Sequence, residues 1–256
     1  MLSTVNHTPR LQLGNAPLIG SSGYSGTDQV EIIWQTTSPG TDFSADYRLV
    51  GAGSWTPAGP IVHDSVQNGR QNHSVVLSGL TFDTEYEYRV VHEGTTYQDI
   101  FDTRLTPGDS SSFSFVTYGD SAGSGTLQNF RDVQNRINTL DGANRAIAFT
   151  LSAGDQAYDS GTVNEYDNRF DPSNNAPLTE YNADHIEFYS MGNHEDVSGG
   201  VATRDNYSVP IPVNPTTSSV TPVGLTEEEP YSFDYGSVHF ATFNSDLGHN
   251  NDANPS

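Results

Sequence analysis

Between Thr27 and Thr106 apolar and polar side chains take turns with a period of two. Val30, Ile32 and Trp34 alternate with Glu31 and Gln35, Val75 and Leu77 flank Val76, and Tyr86, Tyr88 and Val90 alternate with Glu85, Glu87 and Arg89. Successive side chains of a strand point to opposite faces, so this rhythm predicts strands with one face toward a core. Ser38-Pro39-Gly40-Thr41 and Gln67-Asn68-Gly69-Arg70 supply the turns between them. The region predicts a small antiparallel β-sandwich.

Thr106 to Ser112 is polar and turn-prone, and beyond it the rhythm changes. Phe113–Thr117, Arg145–Leu151 and Ile186–Met191 are short apolar runs bounded by glycine, which predicts buried strands. Between the first two, Leu127, Phe130, Val133, Ile137 and Leu140 recur at intervals of three or four, one face of a helix from Thr126 to Asp141 with Ser124 or Thr126 placed to cap it. Strand, loop, helix, strand, loop is a βαβ unit with a parallel pair. Tyr231–Phe243 predicts a further strand pair turning at Tyr235-Gly236, whereas Pro210–Pro215, the Ser/Thr stretch after it and Gly248–Ser256 read as loop. The expected fold class is multi-domain, β plus α/β, with a sandwich over residues 1–108 and an α/β domain over 109–256.

Acidic residues outnumber basic ones 32 to 10, and all the basic ones are arginine. Such a surface repels nucleic acid and anionic membranes, so neither is an expected partner. Cysteine is absent, which removes disulfides, thiolate metal sites and cysteine nucleophiles. No apolar run approaches the length of a membrane span, and no basic-then-apolar leader is present. Asn6-His-Thr, Asn72-His-Ser and Asn206-Tyr-Ser are glycosylation triplets of the kind that also arise by chance.

Each apolar run past Ser112 leads into a short polar signature: Tyr118-Gly119-Asp120, Gly154-Asp155-Gln156-Ala157-Tyr158 and Gly192-Asn193-His194-Glu195. Loops beyond the carboxyl ends of parallel strands converge on a crevice where ligands bind. A metal-assisted phosphoester hydrolase holds two cations about 3.5 to 4 Å apart and benefits from a carboxylate between them. Asp155 is the candidate bridge, with Asp120 on one ion and Asn193 on the other. His194 is the candidate catalytic residue, donating a proton to the leaving alkoxide or, with Asn193, steadying the substrate phosphate. Taken singly, Gly154-Asp155 is ordinary turn chemistry, Asn193-His194 could cap a helix, and Tyr158 is one of 13 tyrosines, many of which simply pack. Their order and their shared place after strands favour a site. His7, His63, His73, His92, His185 and His249 read as surface or hydrogen-bonded histidines, Glu227–Glu229 as a solvated face, and Asp167, Arg169 and Asp171 as a polar loop over the pocket.

Leu77-Ser-Gly-Leu-Thr-Phe-Asp-Thr-Glu-Tyr-Glu-Tyr-Arg-Val90 resembles the hallmark run of fibronectin type III-like domains, with Phe82 in the usual place of proline and Trp34 as the buried strand tryptophan. The polar signatures resemble those of the purple acid phosphatase branch of the calcineurin-like metallophosphoesterases, whose motifs run DxG, GDxxY, GNH(D/E), VxxH and GHxH. That resemblance implies Asp120, Asp155, Tyr158 and Asn193 as metal ligands, Tyr158 as a phenolate on ferric iron, and a second ion of iron, zinc or manganese. It implies phosphomonoester hydrolysis by a bimetal-bound hydroxide with His194 as the acid, a secreted or periplasmic protein, and a sandwich domain that in such proteins can mediate homodimers. Two features depart from the family pattern. Asp120-Ser-Ala-Gly123 is one residue longer than DxG, and no VxxH or GHxH follows, Gly248-His249 lacking the second histidine. The chain therefore reads as the N-terminal part of a longer enzyme or as a scaffold without a complete centre. A phosphodiesterase or nucleotidase of the same superfamily, or a non-catalytic extracellular binding module, are the alternative functions.

Overall fold

Two four-stranded antiparallel sheets take up the N-terminal part of the chain in the computed structural model, which describes residues 3–14, 24–64, 66, 68–123, 125, 127–197, 206–207 and 231–242. One sheet orders β1 (Val5–Gln12), β2 (Asp28–Thr36), β6 (Gln71–Leu80) and β5 (Val62–His63); the other orders β4 (Thr56–Pro57), β3 (Phe43–Leu49), β7 (Glu85–His92) and β8 (Thr95–Asp102). Val30, Ile32, Trp34, Val75, Leu77, Tyr86, Tyr88, Val90 and Phe101 are buried between them, each fully buried large side chain contributing roughly 1.5–3 kcal/mol. The alternation fails at the end of β2, where Ile33, Gln35 and Thr36 are buried too. Both faces are covered there: Gln35 donates to Asn72 at 2.9 Å and Thr36 lies 2.9 Å from the His73 ring.

The second part is built on a parallel sheet in the order β11 (Ile186–Tyr189), β10 (Phe149–Ser152), β9 (Val116–Tyr118). The helix α1 (Leu127–Asp141) connects β9 to β10; α2 (Asp167–Phe170) and α3 (Pro172–Asp184) precede β11, and α4 (Asn193–Asp196) follows it. A hairpin of β12 (Ser232–Tyr235) and β13 (Val238–Ala241) lies against the sheet through Phe233, stacked on Phe188 at 3.6 Å between centroids. The strands are shorter than the apolar runs suggest. Arg145 takes a left-handed conformation that delays β10 to Phe149. The register then matters for everything that follows, because Ser152 pairs with both Tyr118 and Tyr189, so all three strands end on one level.

The helix α1 buries Phe130, Gln134, Ile137 and Asp141, while Val133 and Leu140 are exposed. The face expected from apolar spacing is thus rotated, because polar groups have partners beneath the helix. The Asp141 carboxylate accepts from the Ile147 amide at 2.9 Å and lies 3.4 Å from His185 Nε2. The polar loop expected over the pocket is also corrected. Arg169 is fully buried, Asp167 pairs with Arg70 and His7, and Asp171 caps α3 by accepting from the Ser173 amide.

The two parts share one apolar cluster running from Leu11 and Trp34 through Phe149 to Phe233. Arg104 donates to Asp28 at 2.7 Å and to the Asp234 carbonyl at 3.1 Å, Tyr88 donates to the Ala183 carbonyl at 2.9 Å, and Arg145 reaches Glu85 and Asp102. Asn72 and Asn206 of the glycosylation triplets are buried. Pro210–Pro215, Glu227–Glu229, Gly248–Ser256 and the capping positions 124 and 126 lie outside the described residues. Among the described residues no helix is long and apolar enough to cross a membrane.

Candidate functional site

Since β9, β10 and β11 end together, the loops that follow them leave side by side and are stitched through their backbones. The Ala153 amide donates to Tyr118 O at 2.7 Å, Ser190 to Ser152 O at 2.7 Å, Asp120 to Gly154 O at 3.1 Å and Ser121 to Asp155 O at 2.8 Å. Asp120, Ala122 and Asp155 adopt left-handed backbone with φ of 52°, 57° and 53°. Residues other than glycine seldom do so, and such strain gathers at functional sites.

The Tyr158 hydroxyl donates to Asp120 Oδ1 at 2.7 Å and lies 3.2 Å from Asp155 Oδ2, so one phenol spans both carboxylates. Burial, then the bond to Asp120, raises its pKa. Asp155 Oδ1 accepts the His194 amide at 3.2 Å, and the His194 ring lies 4.2 Å from that of Tyr158. Its Nδ1 bonds the Asp159 carbonyl at 2.8 Å. A carbonyl only accepts, so Nδ1 carries a proton and Nε2 is the exchangeable position. Asn193 opens α4 beside His194 with an exposed side chain. The structure thus links Asp120, Asp155 and His194 through Tyr158, with Asn193 adjoining His194 in the chain.

Glu195 was given no role by its sequence, yet it holds the loops together. Fully buried, its carboxylate accepts the amides of Asp155 at 2.9 Å, Gln156 at 2.6 Å, Ala157 at 3.0 Å and Gly192 at 2.9 Å. A signal existed: a Glu at the third position of a short helix reaching back to the cap amide is half of a capping box. Two glycines make the close approach feasible. A Cβ on Gly192 would run into the backbone nitrogen and carboxylate of Asp155, and one on Gly154 would lie 2.9 Å from Gly192 Cα.

Beneath the loops lies a second buried ion pair. Arg169 donates to Glu187, to Ser121 Oγ at 2.5 Å, to the Tyr118 hydroxyl at 3.2 Å and to the Tyr207 hydroxyl at 2.9 Å. Ser121 adjoins Asp120, so this guanidinium ties the loop after β9 to β11.

The donor set suits a hard or borderline cation. Two carboxylates lie within hydrogen-bonding reach of one phenol, and neither Asp120 nor Asp155 has an arginine partner among the described residues. A cation would relieve that repulsion. Among the described residues no group of three His, Asp or Glu side chains stands ready for a metal, so the set depends on Tyr158 and Asn193 as well. Of the other histidines, His7, His73, His92 and His185 are buried and hydrogen-bonded, His63 and His239 are exposed, and His249 lies outside the described residues.

Residues 21–117 match the family model of the purple acid phosphatase N-terminal domain, and the chain carries such a domain. Two uncharacterized proteins of Mycobacterium tuberculosis, from strains CDC 1551 / Oshkosh and ATCC 25618 / H37Rv, are each 30% identical over 190 residues, covering 69% of this chain and 34% of theirs. The chain thus spans about a third of the length of these curated relatives. Purple acid phosphatase PPD1 from yellow lupin (Lupinus luteus) seeds superposes with a TM-score of 0.61 at 19% identity, over 92% of this chain and 44% of that one. The shared fold is a β-sandwich followed by an α/β layer.

Proposed function

We propose that Asp120, Asp155, Tyr158 and Asn193 are ligands of a two-metal centre, iron with iron, zinc or manganese, that hydrolyses phosphate monoesters. The observation that carries the proposal is the phenol of Tyr158 set between the carboxylates of Asp120 and Asp155 at the ends of parallel strands. When bound, the ions supply Lewis acidity toward phosphoryl oxygens and activate water. The chain's own residues do the rest. Asp155 and Asp120 bring negative charge to a point where no arginine among the described residues competes. His194, with Nδ1 anchored on a carbonyl, presents Nε2 to protonate the leaving oxygen, and Asn193 beside it orients the phosphate. Glu195 keeps the loops in register through their amides.

The test is metal content after reconstitution, read together with hydrolysis of p-nitrophenyl phosphate and of its bis ester. Asp155→Asn is expected to lose bound metal and turnover together, and Tyr158→Phe to lose any visible phenolate-to-iron absorption. Unchanged metal content in both Asp120→Asn and Asp155→Asn would refute the proposal. Preference for the bis ester would move it to a phosphodiesterase.

A further inference from the structure

The sandwich holds a histidine pair that the proposed centre does not use. His63, on the edge strand β5, is the register partner of His73 on β6, and their Nδ1 atoms face each other at 2.7 Å. His63 is exposed and His73 is buried, so the pair is open to solvent from one side only.

Their partners fix the tautomers. The Thr36 hydroxyl donates its single proton to the Ser38 carbonyl at 2.7 Å, so toward His73 Nε2, 2.9 Å away, it can only accept. The proton of His73 therefore sits on Nε2, and Nδ1 keeps a lone pair directed at His63, whose own Nδ1 supplies the proton between them. An imidazole whose far nitrogen donates to an outer acceptor while its near nitrogen offers a lone pair is arranged as metal-ligating histidines are. The His73 ring is held against Trp34 at 5.6 Å and Phe43 at 4.6 Å. Burial, and then the neighbouring His63 and His92, lower its pKa to about 4, which keeps it neutral where metals bind.

We propose that His63 and His73 form a transition-metal site that takes Cu2+ or Ni2+ through both Nδ1 atoms, with water completing the coordination. Imidazole nitrogen suits these ions. Among the described residues no third His, Asp or Glu joins them, which leaves the remaining positions to solvent. Copper heads the affinity order of the divalent ions at nitrogen ligands, so Cu2+ is favoured over zinc. Binding moves the His63 proton from Nδ1 to Nε2, with no net proton released.

The experiment is Cu2+ titration of the whole chain by calorimetry and electron paramagnetic resonance, beside His63→Gln and the double variant Asp120→Asn/Asp155→Asn. The double variant should take one Cu2+ with a tetragonal, two-nitrogen spectrum, and the parent should show the same signal beside whatever its phosphatase centre takes. His63→Gln, an exposed edge substitution whose folding is checked by its urea midpoint, should lose roughly tenfold or more in affinity. Cu2+ should also raise the melting temperature of the double variant, and should no longer do so once His63→Gln is added to it. Equal affinity in His63→Gln, or no two-nitrogen Cu2+ in the double variant, would overturn the assignment. Because the double variant lacks two ligands of the proposed phosphatase centre, failure of that centre leaves this result unaffected.

Discussion

In the sandwich two of the arginine pairs join the central strands β3 and β7 of one sheet, Arg48 with Glu87 at 2.7 Å and Arg89 with Asp46 at 2.9 Å, both partly exposed. In the α/β layer the corresponding groups are fully buried, Arg169 with Glu187 and Glu195 with four backbone amides. Exposed pairs gain little, since water already solvates them and the side chains lose freedom. Buried charges carry a large desolvation cost and persist only where each is fully partnered. In this chain they fasten the loops bearing Asp120, Asp155 and His194. The sandwich is held mainly by apolar area, and the loop cluster by charge.

The largest expected effect tests that contrast directly. Arg169→Met leaves Glu187 buried without its partner and should cost about 3–5 kcal/mol in urea unfolding. Arg48→Met, in the sandwich, should cost less than about 1 kcal/mol. The double variant Arg169→Met/Glu187→Met should recover part of the loss, because it removes the unpaired buried charge while the hydroxyls of Ser121, Tyr118 and Tyr207 still lose a partner. Equal losses from Arg169→Met and Arg48→Met would erase the distinction between the two regions.

Glu195→Ala comes next. Four amides lose their acceptor inside the protein, and at roughly 1–3 kcal/mol for an unsatisfied buried donor, with water entering to meet some of them, the expected loss is about 3 kcal/mol. The sharper readout is local. Hydrogen exchange at Asp155, Gln156, Ala157 and Gly192 should accelerate, while the amides of β2 and β6 keep their protection. Acceleration spread evenly over both regions would mean that Glu195 supports the fold at large and holds no particular loop.

Legibility in the sequence follows the same division. The sandwich strands could be read because local rule and tertiary outcome agree: Val30, Ile32 and Trp34 alternate and are buried. The parallel sheet could be read in its order but not its bounds, since a left-handed Arg145 and a β9 that begins only at Val116 are matters of backbone and tertiary contact. Val133 and Leu140 misled because apolar spacing says nothing of a Gln134 or Asp141 that finds partners beneath the helix. At the site, Asp120, Asp155, Tyr158, Asn193 and His194 stand out by type and spacing. Glu195, Glu187 and Arg169 do not, because a charged residue in a sequence is ordinarily taken for surface, and only coordinates reveal that it is enclosed.

The smallest expected effect separates the two regions by pH. His185, between α3 and β11, has its pKa moved to about 9: burial opposes its charge, but bonds to Asp141 and Asp184 outweigh that. Its folded pKa lies above the unfolded 6.5, so its stabilisation is complete below pH 6.5 and is lost as pH rises through 9. In the sandwich the sign is reversed. Burial first, joined by neighbouring histidines at His73 and by Arg10 at His7, lowers both to about 4. The unfolded chain then binds the extra protons, so stability falls as pH drops from 6.5 toward 4. The unfolding free energy should therefore peak near neutrality, with an alkaline limb assigned to the α/β layer and an acid limb to the sandwich. His185→Gln should flatten the alkaline limb by on the order of 2 kcal/mol and leave the acid limb unchanged, whereas His73→Gln should do the reverse. Urea midpoints at pH 4.5, 6.5 and 9 measure both limbs. If either variant altered both limbs equally, the two regions would titrate as one unit, and the shared apolar cluster, not the separate charge networks, would govern the pH response.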